Sequence, residues 1–446
     1  MHDVGNDIDV LIVGAGPAGM AAAAELSRSD LSALWIDQRE RAGGAIHRQG
    51  SDGSSKVAFK PASVRRQWQQ LSAAMDGMRL QLSGGWNFLG VDSDGLAIIE
   101  DRRNGMTKAI RARAIILALG AVERVLPRPG WQLPGVRTAG GMQVMLKETG
   151  KAPQGRILVA GNGPLTIALA AQLASSGNAP VAVIEAGNPA ANPFSAAQLV
   201  SHPRLAREGA SAVAALMRHR VSWLRGWHVV AIREAGASLD VEVASASGSR
   251  RTFTVEHVAL HDGIRPNAFG LPSENSSPRI VHAGDCREAL GAIAAEADGR
   301  NAAFQVRAAL TGTTFSQDLK SIERERRAQD VLARLFAPVK KDTLACVPDE
   351  TLLCRCEGST VGDLRALVQG QPGISPREVK LNGRFAMGSC QGRFCADNVT
   401  ALMSAMQGSA VSPNAFTLTG PRWPARPVSI SSIIAGTDEA GNSVPE

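Results

Sequence analysis

Apolar residues along this chain fall in short unbroken runs, and each run stops at glycine or an acid. Val10-Leu-Ile-Val13 stops at Gly14, Ala33-Leu-Trp-Ile36 at Asp37, and Ala114-Ile-Ile-Leu-Ala-Leu119 at Gly120. Further on, Ile157-Leu-Val-Ala160 stops at Gly161, Val181-Ala-Val-Ile184 at Glu185, and Ile280-Val-His-Ala283 at Gly284-Asp285. Runs of this length without period-two alternation predict strands buried on both faces, as in a parallel sheet. Ala-rich stretches between them predict crossover helices, one to about Ser29 and one to Ser176, with Gly177 past its end. Strand and helix alternate twice over, which predicts an α/β fold with two Rossmann-like dinucleotide-binding units.

The glycines define the chemistry of the first unit. Gly14 makes the tight turn, Gly16 lets a pyrophosphate approach the backbone, and Gly19 lets helix pack on strand. The helix N-terminus offers free N–H groups to phosphates, and Asp37, 23 residues after Gly14, is placed to accept from an adenosine ribose. Gly43-Gly44 fits a second close approach to the cofactor or, equally, a flexible loop. Arg48 faces either flavin phosphates or solvent. The segments ending at Gly120 and at Gly284-Asp285 resemble the second and third FAD-contacting segments of two-dinucleotide-domain flavoproteins. That resemblance places Asp285 against the ribityl or phosphate side of the flavin; its structural alternative is an N-cap for the next helix.

The second unit repeats the pattern with Gly161, Gly163 and, 24 residues after Gly161, Glu185. Thr166 replaces the third glycine, which pushes helix from strand and weakens a pyrophosphate cradle. An acid at 185 favours NAD over NADP; an adenine nucleotide such as ATP, or a purely structural unit, are the other readings. The second unit interrupts the first. FAD-binding residues are expected over 1–150 and 260–335, with 151–259 inserted, a cysteine domain over 339–408 and an extended tail over 409–446.

Cys354-Arg-Cys356 and Cys390-Gln-Gly-Arg-Phe-Cys395 are the chain's second chemical feature. In an extended segment Cys354 and Cys356 point the same way and reach one iron. Cys395 opens a predicted helix over 396–406, and Arg355 and Arg393 are cations that favour thiolates. Thr360-Val-Gly-Asp363 and Ser375-Pro-Arg-Glu378 read as capping boxes of short helices. Four thiolates hold a [2Fe-2S] cluster or a structural zinc ion, and CxxxxC alone is a candidate redox disulfide. Cys286 and Cys346 read as incidental thiols.

Composition narrows the partners. Net charge is +7, from 48 Lys and Arg against 41 Asp and Glu, and the basic residues are scattered. Tyr is absent and Phe and Trp number 11 and 7, so there is no aromatic platform for bases and nucleic acid is not expected. The first ten residues lack the basic region of a signal peptide, and glycines break the apolar stretch over 10–24. A cytoplasmic chain without a transmembrane segment, held peripherally through partners, is the expectation. In the tail, Pro413, Pro421, Pro424 and Pro427 predict extended chain through Ile434, and 437–446 are expected to be disordered. The apolar stretch 421–434 needs cover, from the FAD domain or from a partner.

Val10–Gly19, Leu117–Arg124 with Pro129–Gly135, and the CxC…CQGRFC segment resemble the α (A) subunit of flavin-dependent amine dehydrogenases, the group of opine oxidases, D-hydroxyproline dehydrogenase and hydrogen cyanide synthase. Residues 339–408 resemble a bacterioferritin-associated-ferredoxin type [2Fe-2S] domain, in which the last pair is often CxxC. The resemblance implies FAD, a [2Fe-2S] cluster, FMN at a subunit interface and a non-redox adenine nucleotide in the second unit. It also implies an amine-oxidising β subunit with a D-amino-acid-oxidase-like fold and a small ferredoxin-like γ subunit. The α subunit would carry electrons from the partner's flavin. Two rival readings are a stand-alone NADH-dependent reductase and a nucleotide-stabilised scaffold subunit.

Overall fold

The computed structural model describes residues 8–438 apart from 51, 54–56, 58, 93, 277, 340–345, 409–413 and 421–423. The expectations for the first residues, for Pro413 and Pro421, and for 439–446 therefore lie outside the described residues.

The strand Ile8–Val13 (β1) sits in the middle of the larger sheet because its side chains are apolar on both faces: Val10, Leu11 and Ile12 are fully buried. It pairs in parallel with Ala33–Asp37 (β2), Val10 opposite Ala33, and with Thr107–Leu117, Val10 opposite Ala114. Arg279–His282 adds a further parallel strand, Ile280 opposite Ile115, so chain from beyond residue 260 completes the first unit. The Ala-rich helix Pro17–Leu26 (α1) packs on one face against the helix Ala292–Thr311. Their contact is close because Gly299 faces Ala18: a Cβ at Gly299 would lie 2.1 Å from the Ala18 carbonyl oxygen.

The second sheet is five parallel strands in the order Ser222–Arg225, Ala182–Glu185, Ile157–Gly161, His257–His261, Val136–Thr138. It reaches outside the expected 151–259 on both sides, because Val136–Thr138 and the helix Ala139–Thr149 pack with this unit rather than with the first. An antiparallel three-stranded sheet over Trp227–Val255 covers its other face.

A helical unit follows, built on the hairpin Leu352–Cys354/Ser359–Thr360 and the helices Val361–Gly370, Pro376–Gly383 and Ala396–Gln407 around Phe385 and Val399. Both capping boxes form: Thr360 with Asp363 and Ser375 with Glu378. The tail departs from expectation. Beyond Pro427, Ile430–Asp438 is helical, not extended. It packs back on the first unit, where the Thr107 hydroxyl donates to Ser432 O at 3.1 Å, and it leaves Ile430 and Ile434 exposed. No described helix is long and apolar enough to cross a membrane.

Candidate functional site

The first glycine loop is locked by the three strands it joins. Gly14 donates to Ile36 O at 2.8 Å, and its carbonyl accepts from the Trp35 indole at 2.9 Å. Its φ is +111°, and a Cβ there would meet Ala118 O at 2.3 Å. A Cβ on Gly19 would lie 1.8 Å from Gly14 O, so helix and turn touch through this glycine. Gly43 donates to Ala15 O at 2.7 Å, and a Cβ on Gly44 would stand 2.9 Å from Gly16 Cα. Gly43-Gly44 is thus a fixed second wall and not a flexible loop.

These glycines open onto a cavity of about 790 Å³, within the range of small-molecule sites. Gly16, Asp37, Gly44, Gly120 and Asp285 line it. The Asp37 carboxylate accepts from Ala15 N at 2.7 Å and Arg39 N at 2.8 Å; burial raises its pKa against those two bonds. Asp285 does not occupy the N-cap of Ala292–Thr311; Gly291 does. Its carboxylate accepts from Leu290 N and Gly291 N at 3.0 and 2.9 Å while facing the cavity, and burial raises its pKa. Gly284 lies beneath, donating to Asp298 at 2.7 Å. Arg48 faces the cavity, not solvent, in an ion pair with Glu148 at 3.1 Å. A glycine cradle at a helix N-terminus, a carboxylate at the end of β2 and a second one at 285 fit FAD.

Sequence reasoning passed over three residues here. Lys147 is buried and donates to Ala45 O at 2.9 Å, Ile46 O at 3.3 Å and the Gln143 amide oxygen at 3.0 Å, fixing the loop after Gly44. Burial, with the charge of Lys60, brings its pKa down to about 8. A lone lysine in a helix carries no sequence mark of that role. Glu123, held to His261 at 3.2 Å, lines the cavity beyond Gly120. Phe394 forms part of the same wall.

The second unit is built differently. Glu185 is fully buried and its carboxylate accepts from Gly163 N at 3.2 Å, Gly187 N at 3.1 Å, Asn162 Nδ2 at 3.1 Å and Thr166 Oγ1 at 3.2 Å. Thr166, which replaces the third glycine, has become one of its partners. The chain leaving the helix Leu319–Leu335 lies over the strand end: Phe336 O accepts from Asn162, Val339 N donates to Ala186 O at 3.0 Å, and a Cβ on Gly187 would meet Phe336 O at 2.6 Å. An acid turned inward and covered by backbone is poorly placed to accept from a ribose, which favours the structural reading of Gly161, Gly163 and Glu185 over a nucleotide site.

The four cysteines gather in two pairs. Cys395 donates to Cys354, and both are buried; Cys356, more exposed, pairs with Cys390. The expected alignment of Cys354 with Cys356 does not occur, because the strand ends at Cys354 and the chain turns through Arg355–Gly358. The Cys395 hydrogen bond, with N–H groups of Ala386, Glu357 and Cys356, brings the Cys354 thiol down to about 6. Gly388 is required at its place, since a Cβ would stand 2.3 Å from Cys356 Cβ. Arg355 is drawn away from the thiols and lies over the Trp131 ring at 5.2 Å. Cys286 is buried, its thiol pushed up to about 11 by burial. Among the described residues, no three or more His, Cys, Asp or Glu gather so that they could hold a metal ion.

A family model described as pyridine nucleotide-disulphide oxidoreductase matches residues 8–287. The A subunit of opine oxidase from Agrobacterium tumefaciens (strain Ach5) is 32% identical over 97% of this chain and 92% of its own length. The chain belongs to the pyridine nucleotide-disulphide oxidoreductase family and groups with the A subunits of opine oxidases. As a member it is a flavin-dependent oxidoreductase with an FAD-binding Rossmann fold. The HcnB subunit of hydrogen cyanide synthase from Pseudomonas aeruginosa is 29% identical over 86% of this chain and 90% of its own length. The solved L-proline dehydrogenase from P. horikoshii shares the fold, with a TM-score of 0.63 at 18% identity, covering 96% of this chain and 79% of that one.

Proposed function

We propose that this chain is the electron-transfer α subunit of a hetero-oligomeric dehydrogenase of amines or opines, working in the cytoplasm. The observation that carries the reading is the seating of the Cys390–Cys395 loop on the flavin cavity. Phe394 is part of the cavity wall and Cys395 is the next residue. The contact is braced on both sides: Arg265 donates to Arg393 O at 2.9 Å and pairs with Asp397 at 3.1 Å, and Asn398 donates to Val125 O at 2.8 Å. A redox group on the cysteines would be held against the flavin without a moving part.

Two thiol pairs suit a two-iron cluster, with two thiolates to each iron, better than one tetrahedral zinc ion. Bound there, a [2Fe-2S] group would pass single electrons to or from FAD. The substrate flavin belongs in this reading to a β subunit with a D-amino-acid-oxidase-like fold, with FMN at the contact between subunits and a small ferredoxin-like γ subunit completing the complex. The names of the relatives, opine oxidase and hydrogen cyanide synthase, support substrates with a C–N bond.

Anaerobic electron paramagnetic resonance of the dithionite-reduced protein is the test. About one S = 1/2 spin per chain is expected, lost in Cys395→Ser while the FAD absorption stays. A colourless zinc site, or a Cys390–Cys395 disulfide in the purified protein, would overturn the cluster. NADH separates the rival reductase reading. Because Glu185 is enclosed, titration with NADH is expected to leave the flavin band unbleached; stoichiometric bleaching would make the second unit a working hydride site.

A further inference from the structure

The tail does more than cover the first unit. Ala425 is buried and its N–H donates to Leu89 O at 2.5 Å. The helix Ile430–Asp438 is tied down again at Ser432 by Thr107. Between these two anchors stands Arg426, whose side chain lines the FAD cavity and donates from Nη1 to the Gln38 amide oxygen at 2.5 Å. Gln38 is itself held, its carbonyl accepting from Arg102 at 2.7 Å. It follows Asp37, the acid at the end of β2, and that strand end is where the adenosine ribose of a bound dinucleotide lies.

We infer that Arg426 is a positioning residue for the adenosine half of FAD and that residues 424–438 form a strap closing that end of the site. This rests on FAD binding in the first unit. The physical case is one of cost and geometry. Burial disfavours the Arg426 charge, and Asp37 offsets part of that cost. A planar guanidinium at the cavity wall, donating from Nη1 to the Gln38 amide, has a face and further N–H groups to offer a ligand. That face suits an adenine ring, and the N–H groups suit ribose or phosphate oxygens. Asp37 accepts and Arg426 donates, so the pair reads both sides of a ribose. Residues 38 and 426 are brought together only by the return of the tail across the first unit.

The test is FAD binding to flavin-stripped full-length protein, followed by flavin fluorescence, with ADP and FMN as separate probes. Arg426→Ala is expected to raise the FAD dissociation constant about tenfold or more and to weaken ADP in proportion. FMN, which lacks adenosine, is expected to bind both proteins alike. Arg426→Lys keeps the charge and loses the planar fork; it is expected about threefold weaker than wild type, and it carries the test if Arg426→Ala does not fold. Unchanged FAD affinity in the variant that folds, or an equal loss for FMN, would overturn the inference while leaving the cofactor reading intact. A wild-type chain that takes no FAD would overturn both.

Discussion

Gly14→Ala is expected to give a protein that purifies without flavin and has lost several kcal/mol of stability. Two costs fall on one methyl group. At φ +111° an L-residue is strained, and the new Cβ would sit 2.3 Å from Ala118 O, a backbone atom that cannot rotate away. Ala118 N donates to Val13 O at 2.8 Å, so yielding at 118 breaks the register between β1 and Thr107–Leu117. Strain and overpacking together come to about 3–5 kcal/mol. The turn also carries Ala15 N, which Asp37 holds at 2.7 Å, and the helix end that faces the cavity. FAD affinity is therefore expected to fall at least ~100-fold. The ratio of flavin to protein absorbance and a urea unfolding curve check both parts. Gly163→Ala is the control. Its φ is +103° but a Cβ there meets nothing within 4 Å, so it carries strain alone, about 1–3 kcal/mol, and the flavin should stay.

The strands were legible because burial on both faces leaves a plain mark in sequence, an unbroken apolar run. The acid at 37 and the glycines at 14, 16 and 19 were legible because a dinucleotide constrains spacing within one supersecondary unit, whereas the aspartate at 285 was legible only through the resemblance of its segment to a FAD-contacting one. What sequence could not show is what distant chain brings over each site. Asp37 and Glu185 end equivalent strands with nearly equal spacing from their glycines. One opens on a cavity, while the other is covered by Phe336–Val339, which arrive from more than a hundred residues away. Arg426, Phe394 and Gly299 reach the first unit in the same way. The cysteine pairing failed for a local reason. The i, i+2 rule assumes extended chain, and the turn at Arg355–Gly358 crosses the pairs. The tail helix was missed because the prolines taken to mark extended chain, the last of them Pro427, stop short of Ile430.

Glu185→Ala is expected to cost at least about 3 kcal/mol, although no ligand is lost. The substitution removes the acceptor shared by Gly163 N, Gly187 N, Asn162 and Thr166, all in a region where water does not replace it. Each buried donor left alone costs about 1–3 kcal/mol, reduced where the loop relaxes. The same carboxyl makes stability depend on pH. Burial pushes its pKa up to about 7 in the folded protein, from 4.5, against the four donors. Between those values the folded chain holds a proton that the unfolded chain has released. Stability from this group is therefore full below about pH 4.5 and is lost as pH rises through about 7, by on the order of 3 kcal/mol. Urea midpoints from pH 5 to 8 read this directly. The wild-type curve should fall across the window relative to Glu185→Gln, which cannot titrate. Parallel curves would mean that the donors keep Glu185 ionised throughout, an anion fixed where a phosphate or ribose would otherwise bind. In either state the carboxyl occupies the end of the second glycine loop, held by the N–H groups of Gly163 and Gly187.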